Sequence, residues 1–267
     1  MNSINKIVYI KDSSKTNLEM NKNITRYNII APHKCGSSIL KQVLRRIFER
    51  KGYACTVKRG YAWTVNSINS AGEHESVEYR FSRRIPEDLH GQSKCIFIPR
   101  NPLAISISMF YSFAYTHLKP EEMTEKRWQN FQAKQQKMGC EKFVEKCIST
   151  NCKKIKGIFN SDRDKTIIPY ELMVVNFELF LQKFLDSLNL SDFYGETFNV
   201  FKERFQPIED KSDDIVLGNY KGHRRTTDIN EWQSKFNETT LSRYMDKYPM
   251  IKEYHDYIQS FNLKELK

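Results

Sequence analysis

No stretch of the 267 residues approaches the run of about 18 apolar side chains that a membrane-spanning helix needs. The segment Met1–Asn23 is polar and has no apolar signal core, so secretion is not expected and a cytoplasmic location is. The six cysteines (Cys35, Cys55, Cys95, Cys140, Cys147, Cys152) form no C-x-x-C pair and have no neighbouring His at metal spacing. Reduced thiols are therefore expected, not a disulfide framework or a zinc site. No acidic cluster offers a metal site. Internal repeats and Gly/Ser-rich linkers are also missing, which leaves one domain, spanning 24–267 behind a loose lead-in at 1–23.

What the chain has is positive charge. Lys and Arg number 43 against 32 Asp and Glu, for a net +11 at pH 7. Such a balance suits anionic partners, whether phosphorylated cofactors, nucleic acid or an acidic membrane face, and does not choose among them. The 39% hydrophobic content, regularly scattered, excludes a disordered basic tail.

Three strand–loop–helix units recur. Tyr27–Ala31 reads as a short buried strand stopped by Pro32. Ser37 or Ser38 caps a helix in which Ile39, Leu40, Val43, Leu44, Ile47 and Phe48 form one apolar stripe, with Gly52 at its end. Cys95–Ile98 is a second strand, followed by a helix from Pro102, a favoured first-turn proline, to Tyr115. Thr166–Tyr170 leads into helix Val174–Leu188. This alternation predicts an α/β domain, a mainly parallel sheet flanked by helices. Val57–Gln92 reads as a polar stretch and Glu121–Thr150 as a helical insert, whose Lys126–Lys142 part presents a solvated face. Turn-rich sequence at Asp210–Asp228 precedes helices over Glu238–Phe261.

Two motifs carry chemistry. Pro32-His33-Lys34-Cys35-Gly36-Ser37-Ser38-Ile39 sits between a buried strand and a helix start. There, unpaired N–H groups and the helix dipole favour an anion, and Gly36 permits close backbone approach. Lys34 adds a mobile charge, and Ser37 and Ser38 add hydroxyls. The order is not that of a Walker A loop, because Lys34 precedes the only glycine. Taken alone, the segment is equally an ordinary helix cap. The second motif is Arg100-Asn101-Pro102 at a strand's C-terminal end, with Ser108 eight residues after Arg100. Arg suits bidentate phosphate recognition at the crevice where open α/β sheets take ligands.

In order and spacing the pair resembles the sulfotransferases that use 3′-phosphoadenosine 5′-phosphosulfate (PAPS) and release adenosine 3′,5′-bisphosphate (PAP). The resemblance implies the sulfotransferase variant of the P-loop nucleotide-kinase fold. It gives the 5′-phosphosulfate to Lys34, Gly36, Ser37 and Ser38, with Cys35 and Ile39 as further cofactor-binding positions, and the 3′-phosphate to Arg100 and Ser108. Met109–Phe113 is similar to the aromatic run after the family's serine, and Ile167–Glu171, which contains Tyr170, to its strand–Tyr–Glu turn. His223-Arg224-Arg225 with Trp232 resembles the closing loop, with Arg224 or Arg225 on the cofactor. The implied reaction is sulfuryl transfer to a hydroxyl or amine of a small molecule, with no metal, nucleic acid or membrane as partner.

The sequence also departs from the family. Ile39 stands where an aromatic residue stacks on adenine, with Trp63 as a substitute. Thr227 and Asn230 replace the closing-loop glycines, and Ala104 replaces a common Asp. The family's K-x-x-x-T-V-x-x-x-E dimer motif is missing after Trp232, which leaves the oligomeric state open. Arg84 stands at the usual position of the acceptor-activating histidine and cannot act as a base. His117 takes that role first, with His74, Glu78 and His33 as the other candidates. Val57–Gln92 and Glu121–Thr150 are read as acceptor-pocket walls. Two other classes remain open. One is a kinase-like phosphotransferase using a nucleoside triphosphate, and the other is a non-catalytic polyanion-binding protein.

Overall fold

The first strand read from the sequence forms as β1 (Thr25–Ile30), and its neighbours explain why it is apolar on both faces. The computed structural model describes residues 25–51, 54–58, 62–68, 74–83, 85, 93–202 and 229–261. In it β1 lies between β4 (His74–Ser82) and β5 (Ser93–Phe97), parallel to both. Tyr27, Asn28, Ile29 and Ile30 are all buried, as a strand covered on two faces must be. With β2 (Ala54–Lys58), β3 (Ala62–Ile68) and β6 (Lys165–Ile167), the sheet order is β2-β3-β4-β1-β5-β6. Strands β4, β1, β5 and β6 run parallel, while β2 and β3 add antiparallel pairings at one side. The chain is thus an α/β domain with a mainly parallel sheet and flanking helices.

The polar stretch Val57–Gln92 carries sheet strands among its described residues. It supplies β3, β4 and the end of β2. In β4, Val77, Tyr79 and Phe81 alternate with Glu78, Arg80 and Ser82, and Tyr79 and Phe81 are buried. Alternation puts one residue in two on the polar face, so low average hydrophobicity hid a period-two strand.

Helix α1 (Ser37–Lys51) buries Leu40, Val43, Leu44, Ile47 and Phe48, which is the stripe the spacing gave. Helix α2 (Pro102–Tyr111) is capped by Asn101, whose side-chain oxygen accepts from the Leu103 and Ala104 amides. It passes into one π-helical turn, Ser112–Thr116. The helical insert is two helices, α3 (Glu125–Met138) and α4 (Cys140–Phe159), divided at Gly139. Gly139 takes φ 77°, a left-handed conformation open to glycine, and its N–H caps the Gln135 and Gln136 carbonyls. Helix α4 turns one face to the core, where Val144, Ile148, Asn151, Ile155 and Ile158 are buried. The Asn151 Nδ2 donates to Ser106 Oγ on α2 at 2.9 Å.

Past β6, α5 (Tyr170–Val175) and α6 (Phe177–Ser187) replace the single helix expected there. Asn176 separates them and caps α6 by accepting from the Leu179 amide. Helices α7 (Tyr194–Phe201), α8 (Glu238–Lys247) and α9 (Met250–Ser260) complete the described elements.

A buried polar knot ties the floor of the sheet edge to α9. Glu171 accepts from the Asn101 amide at 3.1 Å and from the Tyr254 hydroxyl at 2.6 Å. The same hydroxyl lies 3.0 Å from the Pro99 carbonyl. Glu171→Leu is expected to destabilise the fold by about 1–3 kcal/mol, since the Asn101 N–H is left unsatisfied in the core. Glu171→Gln should cost less. The amide can accept from Asn101 and donate to Tyr254, whose proton then turns to Pro99. Denaturant melts in which Gln costs as much as Leu would contradict this account.

Candidate functional site

Parallel strands place their C-terminal ends on one edge, and the chemistry-bearing loops gather there. The loop after β1 lies between those following β4 and β5, the position where open α/β sheets form a ligand crevice. In that loop Lys34 has φ 64° and Gly36 φ 78°, both left-handed. For lysine this conformation costs about 1–2 kcal/mol, so something must hold it. Arg100 does so by donating from Nη1 to the Lys34 carbonyl at 3.0 Å across 66 residues of sequence.

The left-handed Gly36 followed by helical Ser37 turns successive N–H groups toward one point, an anion-binding nest. The Cys35 amide is used on the Pro32 carbonyl, and the Ile39 and Leu40 amides turn back to the Gly36 carbonyl. The Gly36, Ser37 and Ser38 amides take no such backbone acceptor among the described residues. They are joined by the helix dipole and by two hydroxyls. A side chain at Gly36 is excluded twice over. Its φ disfavours one, and a Cβ would lie 2.7 Å from Met173 Cε and 3.5 Å from Tyr170 Cε2.

Arg100 stacks on the Tyr170 ring, with Cζ 4.4 Å from its centroid. Only one of its five N–H donors is committed to Lys34, so the guanidinium retains donors for a second anion. Lys34 is half-buried, and burial with the Arg100 charge lowers its pKa to about 8. Two cations held this close favour an anion between them.

Lys34, Gly36, Arg100 and Tyr170 thus converge as the motifs implied. Ser37 and Ser38 open the helix beside them. Ser108 lies on α2, partly exposed. Cys35 contributes shape only, because its thiol is buried against the His33 carbonyl and desolvation pushes its pKa far above the ordinary thiol value. Ile39 packs partly against the core. His223, Arg224 and Arg225 lie outside the described residues, as do Arg84 and the lead-in, and the Trp63 side chain is not described. Trp232 is buried, edge-on to His255.

The base candidates separate by position. His74 opens β4, eight residues before Ser82, which puts it at the opposite edge of the sheet, roughly 26 Å along the strand. Glu78 is occupied by Arg26 Nε at 3.0 Å. His33 and His117 remain at the crevice and sandwich the Phe113 ring, at centroid distances of 5.7 and 5.6 Å. Burial and the charges of Arg83, Lys34, His117 and Lys154 lower the His33 pKa to about 4. His117 Nδ1 lies 2.9 Å from the Leu118 carbonyl. A carbonyl only accepts, so Nδ1–H is the donor, and in the neutral ring Nε2 is then the lone-pair nitrogen.

Sequence reasoning missed the Arg100–Lys34 clamp, the Met173 wall, Glu171 and the ring sandwich. The polarity of Asn-Pro at a helix start was the one available signal, and it marked the cap, not the knot beneath it.

Fold and crevice together define an α/β protein with a glycine-turned loop and two cations, Lys34 and Arg100, at the C-terminal edge of its parallel strands. No family model matches the chain and no curated protein matches it. Among solved structures it is similar to mouse sulfotransferase SULT7A1 complexed with PAP, at 16% identity over 86% of this chain and 89% of that one, with a TM-score of 0.46. Among the described residues no helix is long and apolar enough to cross a membrane, and no group of His, Cys, Asp or Glu could hold a metal ion.

Proposed function

We propose that the chain transfers a sulfuryl group from PAPS to a hydroxyl or amine of a small-molecule acceptor, releasing PAP. The observation that carries this reading is the coupled pair of cations. Lys34 stands in the nest, and Arg100 lies one strand away, clamped to the same loop and stacked on Tyr170. One anion in the nest and a second at Arg100 is what a doubly phosphorylated donor requires. A nucleoside triphosphate has no separate second phosphate to place at Arg100.

In this reading the nest amides, Ser37 and Ser38 hold the phosphosulfate, and Lys34 meets the charge that grows on the bridging oxygen as the S–O bond breaks. Arg100, with Ser108, holds the 3′-phosphate, and Arg224 or Arg225 closes over the cofactor. His117 Nε2 takes the acceptor proton as the acceptor atom bonds to sulfur. The protein's contribution is mainly orientation and charge stabilisation, as in phosphoryl transfer.

Thermal shift with PAP, ATP and a polyanion tests the assignment. PAP should give the largest stabilisation; a larger shift with ATP would favour the phosphotransferase reading, and a response confined to the polyanion a binding role. His117→Asn should lower kcat by about 10²–10⁴-fold with PAP affinity unchanged. An unaltered pH–rate profile in that variant would remove His117 from the mechanism.

A further inference from the structure

The nest and Arg100 account for positive charge on the β5 side of the crevice, but more lies on the β4 side. Arg83 follows the last residue of β4, and Ser82 accepts from the Ala31 amide at 2.9 Å, which sets Arg83 abreast of Ala31, where the loop to His33 begins. Lys154 lies on α4 one turn beyond Asn151, whose bond to Ser106 fixes α4 on α2. Lys154 is near enough to act on both His33 and Cys35, and Arg83 is the strongest charge acting on His33.

Between them stands His33, and its Nε2 is buried without a hydrogen-bond partner among the described residues. Among the described residues no carboxylate balances this flank. Glu171 is turned into the core knot, Glu78 is paired with Arg26, and no ion pair holds Arg83 or Lys154 among the described residues. Cations gathered here without a described counter-ion repel one another, and a bound anion relieves that repulsion. The ring stack of His33, Phe113 and His117 forms the adjoining wall, which sets this flank beside the proposed base.

We infer that Arg83 and Lys154, with His33 between them, form an anion subsite for the acceptor, which therefore carries its own carboxylate or sulfate besides the hydroxyl or amine that is sulfated. This inference rests on the sulfuryl-transfer reading. Guanidinium and ammonium grip the anionic end of the acceptor, and the aromatic stack flanks its body. The transferred group and the bonds exchanged are those of the proposed reaction; the subsite adds only orientation.

Three phenols sharing one ring test it, assayed with 35S-labelled PAPS: 4-hydroxyphenylacetate (anionic), tyrosol (neutral) and tyramine (cationic). The expected order of kcat/KM is anionic over neutral by at least about tenfold, with the cation poorest. Arg83→Ala and Lys154→Ala should each remove most of that preference, and Arg83→Glu should move it toward tyramine. PAP affinity should stay within about twofold in all three variants, which also reports that they fold. Equal use of the phenols, preference for tyrosol or tyramine, or sulfation of none by a PAP-binding chain overturns the subsite. Loss of PAP affinity in the variants also overturns it, by moving these cations to the donor site. Failure of the unaltered chain to bind PAP sinks the transfer reading itself, and this inference with it.

Discussion

Lys34→Ala is expected to lower kcat by at least about 10²–10³-fold, the scale seen when a group facing developing negative charge is removed. The loop itself should survive, because its conformation is held through the Lys34 carbonyl, which alanine retains, and not through the ammonium. Retention of more than half of kcat would remove Lys34 from the mechanism. A pH signature accompanies the loss. Burial and Arg100 lower the pKa of Lys34 to about 8, against about 10.4 for an unperturbed lysine.

Between those values the unfolded chain holds more protons than the folded one, so the empty protein gains stability as pH rises. PAP binds the charged form, so its affinity falls over the same window, by up to about tenfold per unit above pH 8. Opposite slopes for stability and for affinity identify a lysine in the anion site. Lys34→Arg should flatten both, since arginine stays charged throughout. Calorimetric titration of PAP from pH 7 to 10, beside denaturant melts of the empty protein, reads the two slopes. Parallel slopes would place the titrating group elsewhere.

Local signals were the legible ones. The apolar run of β1, the glycine at Gly36 and the stripe of α1 lie within about twenty residues, and together they define a strand, a tight turn and a helix start. Asn101-Pro102 likewise announces a capped helix. The antiparallel side of the sheet was hidden, because a strand with one polar face has no apolar run, only the alternation of Val77, Tyr79 and Phe81. Elimination of base candidates needed the sheet register. Nothing in the composition around His74 and Glu78 says that one opens its strand at the far edge and the other faces Arg26 across the pair. The Arg100–Lys34 clamp joins two segments through a backbone carbonyl, and a carbonyl is the same at every residue. Long-range contacts of that kind leave no trace in residue type.

That clamp makes Arg100→Ala the most discriminating variant after Lys34. The guanidinium has two roles in the crevice, and they predict different ligand dependence. Through the Lys34 carbonyl it shapes the nest, and this matters to any ligand with a 5′-phosphate. Through its remaining donors it is proposed to take the 3′-phosphate, which matters to PAP alone. A hydrogen bond to a charged group contributes about 1.5–3 kcal/mol, or roughly 10–150-fold in affinity. The bond to the Lys34 carbonyl does not touch the ligand; its loss acts only through the shape of the nest and is expected to cost about 0.5–1.5 kcal/mol, or roughly 2–10-fold. Arg100→Ala should therefore weaken adenosine 5′-monophosphate by a few fold and PAP by that factor multiplied by a further 10–150 or so. Arg100→Lys should recover part of the PAP loss as a point charge, but not the stacking on Tyr170 or the simultaneous reach to the loop. Ser108→Ala, removing a hydroxyl proposed for the same phosphate, should affect PAP and leave the monophosphate unchanged. Equal losses for both nucleotides in Arg100→Ala would confine Arg100 to the clamp and send the 3′-phosphate to another cation.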